Sequence, residues 1–176
     1  EKILNSKMEN KKIVKDNLVD LISKIGEKIS IRRSACFSFD KCKNFFYIHT
    51  PIKKNIGKLG VILSLQNGKQ SEKLNDLGHK ICMHIAASNP LSIDINDLNQ
   101  DLIEKEKEII KEELSSSKKS DEIVDKITKG RLNKFIEENT LLNQTWIMDP
   151  QKKVKDIVKE MANDQDIKIK AFLRYK

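Results

Sequence analysis

Three side chains that could bind a metal or move a proton stand close together along the chain: His79, Cys82 and His84. Residues three to five apart partly share one face of a helix, and a thiolate beside two imidazoles is a set of zinc ligands by type. The spacing fits no zinc motif, however, and no second ligand pair follows elsewhere. His84 comes seven residues after Leu77, at the edge of an apolar stripe, and its simplest role is that of a packed histidine. Ser34 and the serines of the run 115–120 have no base partner in sequence. Glu104, Glu106, Glu108, Glu112 and Glu113 read as the solvated face of a helix. A phosphate-cradling loop needs Gly-x-x-x-x-Gly-Lys-Ser/Thr, and Gly57-Lys58 and Gly68-Lys69 lack both the upstream glycine and the hydroxyl. The sequence therefore predicts no catalytic residue, no metal, no cofactor and no directly bound nucleotide.

The elements that position these residues follow from hydrophobic period. From Leu4 to Ile25 apolar residues recur at helical spacing, through Ile13, Val14, Leu18, Leu21 and Ile22, and Gly26 ends the run. The period then falls to two. Ile29, Ile31, Ala35, Phe37 and Phe39 predict a strand, with Arg33 an exception in its apolar phase that needs a partner or a route to water. Phe45 to His49 and Leu59 to Leu65 predict two more, separated by polar turns at 40–44 and 50–57, so that the three form an antiparallel meander. After Gly68 a helix follows with Leu74, Leu77, Ile81 and Ile85 on one stripe and the small residues Gly78, Cys82 and Ala86 beside it. Asn89-Pro90 closes it, because a residue before proline resists helical geometry.

Between 101 and 138 the composition changes. Leu102, Ile103, Ile109, Ile110 and Leu114 make one narrow stripe, and Ile123, Val124, Ile127, Leu132, Phe135 and Ile136 make another. The run Ser115-Ser116-Ser117-Lys118-Lys119-Ser120 joins them, which predicts an antiparallel helical hairpin with a charged exterior. Asp149 and Pro150 suit the N-cap and first position of a helix carrying Val154, Ile157, Val158 and Met161. Ile167, Ile169, Ala171, Leu173 and Tyr175 then alternate with Lys168, Lys170, Phe172 and Arg174 as a half-exposed strand. The predicted fold class is α+β: a small antiparallel sheet packed with helices, with an inserted coiled-coil hairpin. The expected segments are an N-terminal helix at 1–26, an α+β core at 27–100, the hairpin at 101–138 and a return to the core at 139–176.

The 176 residues are enough for one domain with a core and leave room for an appendage. No run of about 18 apolar residues is present to form a transmembrane helix. The three cysteines, Cys36, Cys42 and Cys82, form no Cys-x-x-Cys pair and read as reduced thiols. The formal net charge of +8 arises entirely in residues 1–60, where 14 Lys and Arg face six Asp and Glu; the remainder holds 20 of each. That imbalance suits nucleic acid or an acidic partner. Yet 30 of the basic residues are Lys and only four are Arg, which argues against base reading. With 24 Ile and 14 Asn, the lysine excess matches AT-rich coding, and we read it as a solvated face.

Several stretches, in order, resemble one family. Lys24-Ile25-Gly26-Glu27-Lys28-Ile29, ending at Arg32-Arg33, is followed by Tyr47-Ile48-His49 and Leu59-Gly60-Val61-Ile62-Leu63. The most specific is Met83-His84-Ile85-Ala86-Ala87-Ser88-Asn89-Pro90. Ile103-Glu104-Lys105-Glu106, Gly130-Arg131-Leu132-Asn133-Lys134-Phe135 and Ile147-Met148-Asp149-Pro150 complete the series. Together they are similar to elongation factor Ts, from Lys24 onward.

The resemblance implies a guanine-nucleotide exchange factor that binds the GTPase elongation factor Tu and promotes GDP release, a binding protein rather than a bond-making enzyme. It implies partner contacts at Leu59, Gly60, His84, Ile147 and Met148, to which the large apolar Trp146 adds a neighbour able to grip. A glycine in a strand admits close backbone approach, and a histidine beside an apolar stripe offers both ring area and a hydrogen bond. Two departures are expected to matter. The family's N-terminal three-helix module and its Thr-Asp-Phe-Val motif would lie upstream of Glu1, so binding is expected to outlast exchange activity. The stretch 34–58 is longer than usual, with Thr50-Pro51-Ile52-Lys53-Lys54-Asn55 in place of a glycine-rich turn. The rival reading is a basic RNA- or ribosome-binding module on residues 1–60, and self-association through the core or hairpin stays open. The expected location is a bacterial-type cytoplasm or the matrix of a mitochondrion or plastid.

Overall fold

The structure is a computed structural model and describes residues 2–66, 71–115, 120–162 and 166–176. The chain divides into two compact units, Glu1–Phe37 and Ser38–Lys176. In the first, helix α1 spans Val14–Ile25 and ends on Gly26, whose φ of 75° is the left-handed conformation that stops a helix. The helix is shorter than the expected run from Leu4. Residues before it fold back instead, so that the carbonyls of Ser6 and Leu4 accept the N–H groups of Val14 and Lys15 at 3.0 and 2.9 Å. These bonds occupy donors that every helix start leaves unpaired, and so they fix the start at Val14.

The second unit is built on a three-stranded antiparallel sheet in the order β1-β2-β3, with β1 at Cys42–Lys53, β2 at Ile56–Gln66 and β3 at Lys168–Tyr175. The α+β class holds, but the meander does not. Residues 27–39 carry no strand, and the third strand of the sheet comes from the end of the chain. Alternation makes a strand only where its backbone groups find a partner, and the sheet pairs β2 with β1 on one side and with the C-terminal β3 on the other. The expected loop at 50–57 is also mostly strand. Only Lys54 and Asn55 turn, with Asn55 at a φ of 63° that asparagine tolerates.

Helix α2, Glu72–Ser88, covers one face of the sheet. It starts at Ser71, whose hydroxyl accepts the Leu74 N–H at 3.1 Å, and ends at Asn89 in the left-handed conformation. Leu74, Leu77, Ile81 and Ile85 are buried with Phe45, Val61, Leu63 and Leu65 in the main core. Gly78 permits the close crossing, because a Cβ at this position would run into the Phe45 ring.

Helices α3, Gln100–Ser115, and α4, Asp121–Asn139, form the hairpin. At 1.5 Å per residue the arms are about 24 and 28 Å long. Among the described residues of the arms, Ile110 and Thr128 are buried, and Arg131 pairs with Glu113 between the arms at 2.7 Å. Leu102, Ile109 and Ile123, expected in the stripes, are exposed. Each lies beside a seam position, about 100° around the helix, and points away from the partner arm. The serine and lysine joint falls largely on residues outside the described set, as does Gly68. At the root, Leu91 N–H donates to Asn139 O, and Leu141 and Leu142 N–H donate to Ser92 and Ile93 carbonyls at 2.9 and 3.0 Å. Entry and exit strands of the hairpin are thereby tied together.

Helix α5, Val154–Ala162, begins later than Asp149 and Pro150 suggested. The Asp149 carboxylate accepts the Gln151 N–H within a turn, while Asp156 reaches back to accept the Lys153 N–H at 3.1 Å. That second bond is half of a capping box, and it sets the start at Val154.

Candidate functional site

The site is built on the segment that joins the hairpin to α5. Trp146 N–H donates to Lys152 O at 2.8 Å, and Val154 N–H donates to Gln144 O at 3.1 Å, closing residues 146–152 into a clasped loop. Asp149 N–H donates to Trp146 O and Lys152 N–H to Asp149 O, which tightens the tip. Trp146 is turned inward and is 3% exposed; Ile147 and Met148 are turned outward at 43% and 42%.

His84 anchors this loop from α2. Its ring is fully buried and stacks on Trp146 with centroids 5.1 Å apart and planes 21° from parallel. Its Nδ1 accepts the Ile147 N–H at 3.4 Å, and its Nε2 lies 2.9 Å from Gln144 Oε1. Burial holds the imidazole below its ordinary pKa, and the bond to Gln144 only partly offsets that. The ring is thus neutral near pH 7, with the proton on Nε2, since Nδ1 is already an acceptor.

Leu59 and Gly60 lie on β2 and face opposite ways. Leu59 is buried in the main core, while Gly60 belongs to the outer face of the sheet, paired between Ile48 and Tyr175. The next outer row is Phe46, Ile62 and Leu173. Together they line a shallow apolar hollow of about 390 Å³. Among the described residues no atom lies within 4 Å of a Cβ placed on Gly60, so the glycine leaves that hollow open. Phe46, at 58% exposure, forms its rim.

The outer face depends on a bulge. Ser64 pairs with Ala171 and Leu65 with Ile169, leaving Lys170 as an extra residue. One inserted residue reverses every side chain beyond it. The expected alternation of 167–175 is therefore broken: Phe172 packs on the core beside Ile169, whereas Leu173 and Tyr175 turn outward. Arg174, now on the inner side, donates from Nε to Ala86 O at 3.2 Å, near the end of α2 where carbonyls lack partners.

Two groups escaped sequence reasoning. Gln144 carried no motif, and only its place in the fold shows that it meets His84. The outer apolar face did leave a signal: Phe45 to Ile48 is apolar in both strand phases, which marks a strand with two apolar faces. Among the described residues no cluster of three or more His, Cys, Asp or Glu could hold a metal ion, and no helix is long and apolar enough to cross a membrane. His79 packs edge-on to Phe45, with centroids 5.9 Å apart, instead of joining His84.

Comparison with known proteins gives this arrangement a context. The family model described as Elongation factor TS matches residues 1–176. The chain belongs to the elongation factor Ts family. It is 36% identical over 176 residues to elongation factor Ts of Caulobacter sp. (strain K31), covering 99% of this chain and 56% of that protein. Elongation factor Ts of Sinorhizobium medicae (strain WSM419) is 36% identical over 149 residues, 85% of this chain and 48% of the relative. That of Rickettsia felis (strain ATCC VR-1525 / URRWXCal2) is 33% identical over 173 residues, 97% and 56% respectively. The chain thus spans about half the length of the curated relatives it matches. Of the five residues marked for partner contact by the likeness to elongation factor Ts, and Trp146 added beside them, Ile147 and Met148 are exposed and Gly60 borders an open hollow. Leu59, His84 and Trp146 are buried behind them.

Proposed function

We propose that this chain binds elongation factor Tu and promotes release of its GDP, acting as a nucleotide-exchange factor and not as an enzyme. The observation that carries the reading is the outward pair Ile147–Met148, held on a loop whose Trp146 is locked beneath it by His84. Large apolar side chains on a fixed loop are suited to fill a pocket on a partner with little ordering cost. Gly60 and its hollow supply a second, apolar contact. Leu59, His84 and Trp146 support these surfaces from inside.

The mechanism is linkage. A factor that binds the nucleotide-free GTPase more tightly than the GDP form must weaken GDP binding by the same ratio, without touching the nucleotide itself. In this reading the core at 27–100 and 139–176 holds the partner, the hairpin at 101–138 is an appendage, and residues 1–26 supply an N-terminal helix. The chain works wherever bacterial-type elongation factor Tu is found, in a bacterial cytoplasm or an organelle matrix.

The test is to mix the chain with elongation factor Tu loaded with fluorescent GDP, measuring complex formation and release together. A complex with faster release supports the proposal. A complex without faster release supports binding but removes exchange from this chain. No complex, with RNA binding that falls steeply with salt and depends on the lysines of 1–60, would favour an RNA-binding module instead.

A further inference from the structure

We infer that Gln144 is a positioning residue that sets the tautomer of His84 and thereby holds the Ile147–Met148 tip in its binding conformation. The inference rests on the proposed contact between that tip and elongation factor Tu.

Hydrogen-bond accounting leads to it. Gln144 is 6% exposed, and its side chain has two donors and one acceptor atom to satisfy. Its Nε2 donates to Glu138 O at 2.6 Å, at the end of α4, and lies 3.4 Å from Ser88 O, at the end of α2. With both amide hydrogens directed at carbonyls, Oε1 is left as the group that faces His84 Nε2 at 2.9 Å. An acceptor there requires Nε2 to carry the imidazole proton. Nδ1 then has a lone pair, and this lone pair receives the Ile147 N–H. The series runs from the root of the hairpin through one glutamine and one histidine to the backbone of the exposed tip.

The direction of each bond is forced by the one before it. If the amide were reversed, its NH2 would face Nε2 and its oxygen would face two carbonyl oxygens, a repulsive arrangement. If the imidazole carried its proton on Nδ1, that proton would face the Ile147 N–H and the tip would lose its tether. Gln144 is also fixed through its backbone, with N–H donated to Thr140 O at 3.1 Å and its carbonyl accepting from Val154. Its side chain is therefore held at both ends and can impose a tautomer on the ring.

The experiment uses the full chain labelled with 15N. In wild type, long-range 15N–1H correlation of His84 is expected to show a protonated Nε2 and an unprotonated Nδ1. Proton on Nδ1 would overturn the inference without any variant. Gln144→Met, close in shape but with no acceptor, is expected to speed exchange of the Ile147 amide about tenfold, the factor that goes with one lost hydrogen bond. Core amides such as Leu63 should keep their protection, and affinity for elongation factor Tu should fall about tenfold. An unchanged Ile147 amide in that variant contradicts the inference. Ile147→Ala with Met148→Ala is measured in parallel. If it weakens binding while Gln144→Met does not, the positioning role fails. If Gln144→Met releases the tip but neither variant alters affinity, the proposed contact with the GTPase fails instead.

Discussion

The imidazole of His84 lies almost flat against the indole of Trp146, with centroids 5.1 Å apart and planes 21° from parallel. One ring comes from the C-terminal part of α2 and the other from the loop before α5, so the stack pins the loop to the core. Because Trp146 is held inward, the next two residues are turned out. A residue pair that faces solvent at this position is thus a consequence of the packing behind it.

Gly60 tests the outer layer. A Cβ at this position meets no atom of the described residues within 4 Å and valine suits a strand, so stability of Gly60→Val in urea should stay within about 1 kcal/mol of wild type or rise. The same side chain fills the hollow bordered by Ile48 and Tyr175 and should reduce affinity for elongation factor Tu. Calorimetry on the folded variant measures the second effect, and an unchanged affinity would remove the hollow from the binding surface.

Gly78 tests the core. An added methyl group meets the ring of Phe45, which is itself buried under α2. Gly78→Ala should therefore lower stability by about 1–3 kcal/mol, the usual cost of overpacking, despite alanine's better helix propensity. Denaturant unfolding followed by circular dichroism gives the number.

The pH dependence of stability should carry the signature of His84. Burial holds its pKa below the ordinary 6.5, so as pH falls through 6.5 the unfolded chain gains a proton that the native ring does not. The native state is then favoured less, and stability declines from pH 6.5 downward until the native ring also titrates. Above 6.5 both states are neutral and the effect vanishes. The difference in unfolding free energy between wild type and His84→Gln, measured from pH 8 to 5, should be flat at first and then narrow.

The cysteines should divide by reactivity. Cys36 is exposed, whereas the Cys82 thiol is fully buried and its pKa is pushed up to about 12. The thiolate is the reactive form, so iodoacetamide at pH 8 should modify Cys36 and leave Cys82 untouched until the protein is unfolded. Peptide mapping by mass spectrometry distinguishes them.

Much of this was legible from the residues alone, and the limits have physical causes. The α2 stripe, its stop at Asn89-Pro90 and the two hairpin arms follow from spacing, because each is set by neighbours along the chain. The phase of β3 was not legible. Its sequence alternates except at Phe172, an apolar residue in the polar phase, and the extra residue at Lys170 is defined only by the register against β2. The pattern at 29–39 failed for a related reason, since alternation states which face a strand would bury and not whether a pairing edge is available. The late start of α5 depends on Asp156 reaching back to Lys153, a bond that competes with the equally plausible cap at Asp149. Among the site residues, the likeness to elongation factor Ts marked His84 and Ile147, but the amide that joins them to the hairpin root became visible only in three dimensions.

The most direct measurement is the rate of fluorescent GDP release from elongation factor Tu as the concentration of this chain is raised, for wild type and for Ile147→Ala with Met148→Ala. Both substituted side chains are exposed, so the variant should unfold at the same denaturant concentration as wild type. The account predicts that wild type accelerates release in a saturable way and that the variant needs at least tenfold more protein for the same effect, since truncated anchor residues typically cost more than about 1 kcal/mol each. Acceleration by the folded variant equal to that of wild type would contradict it.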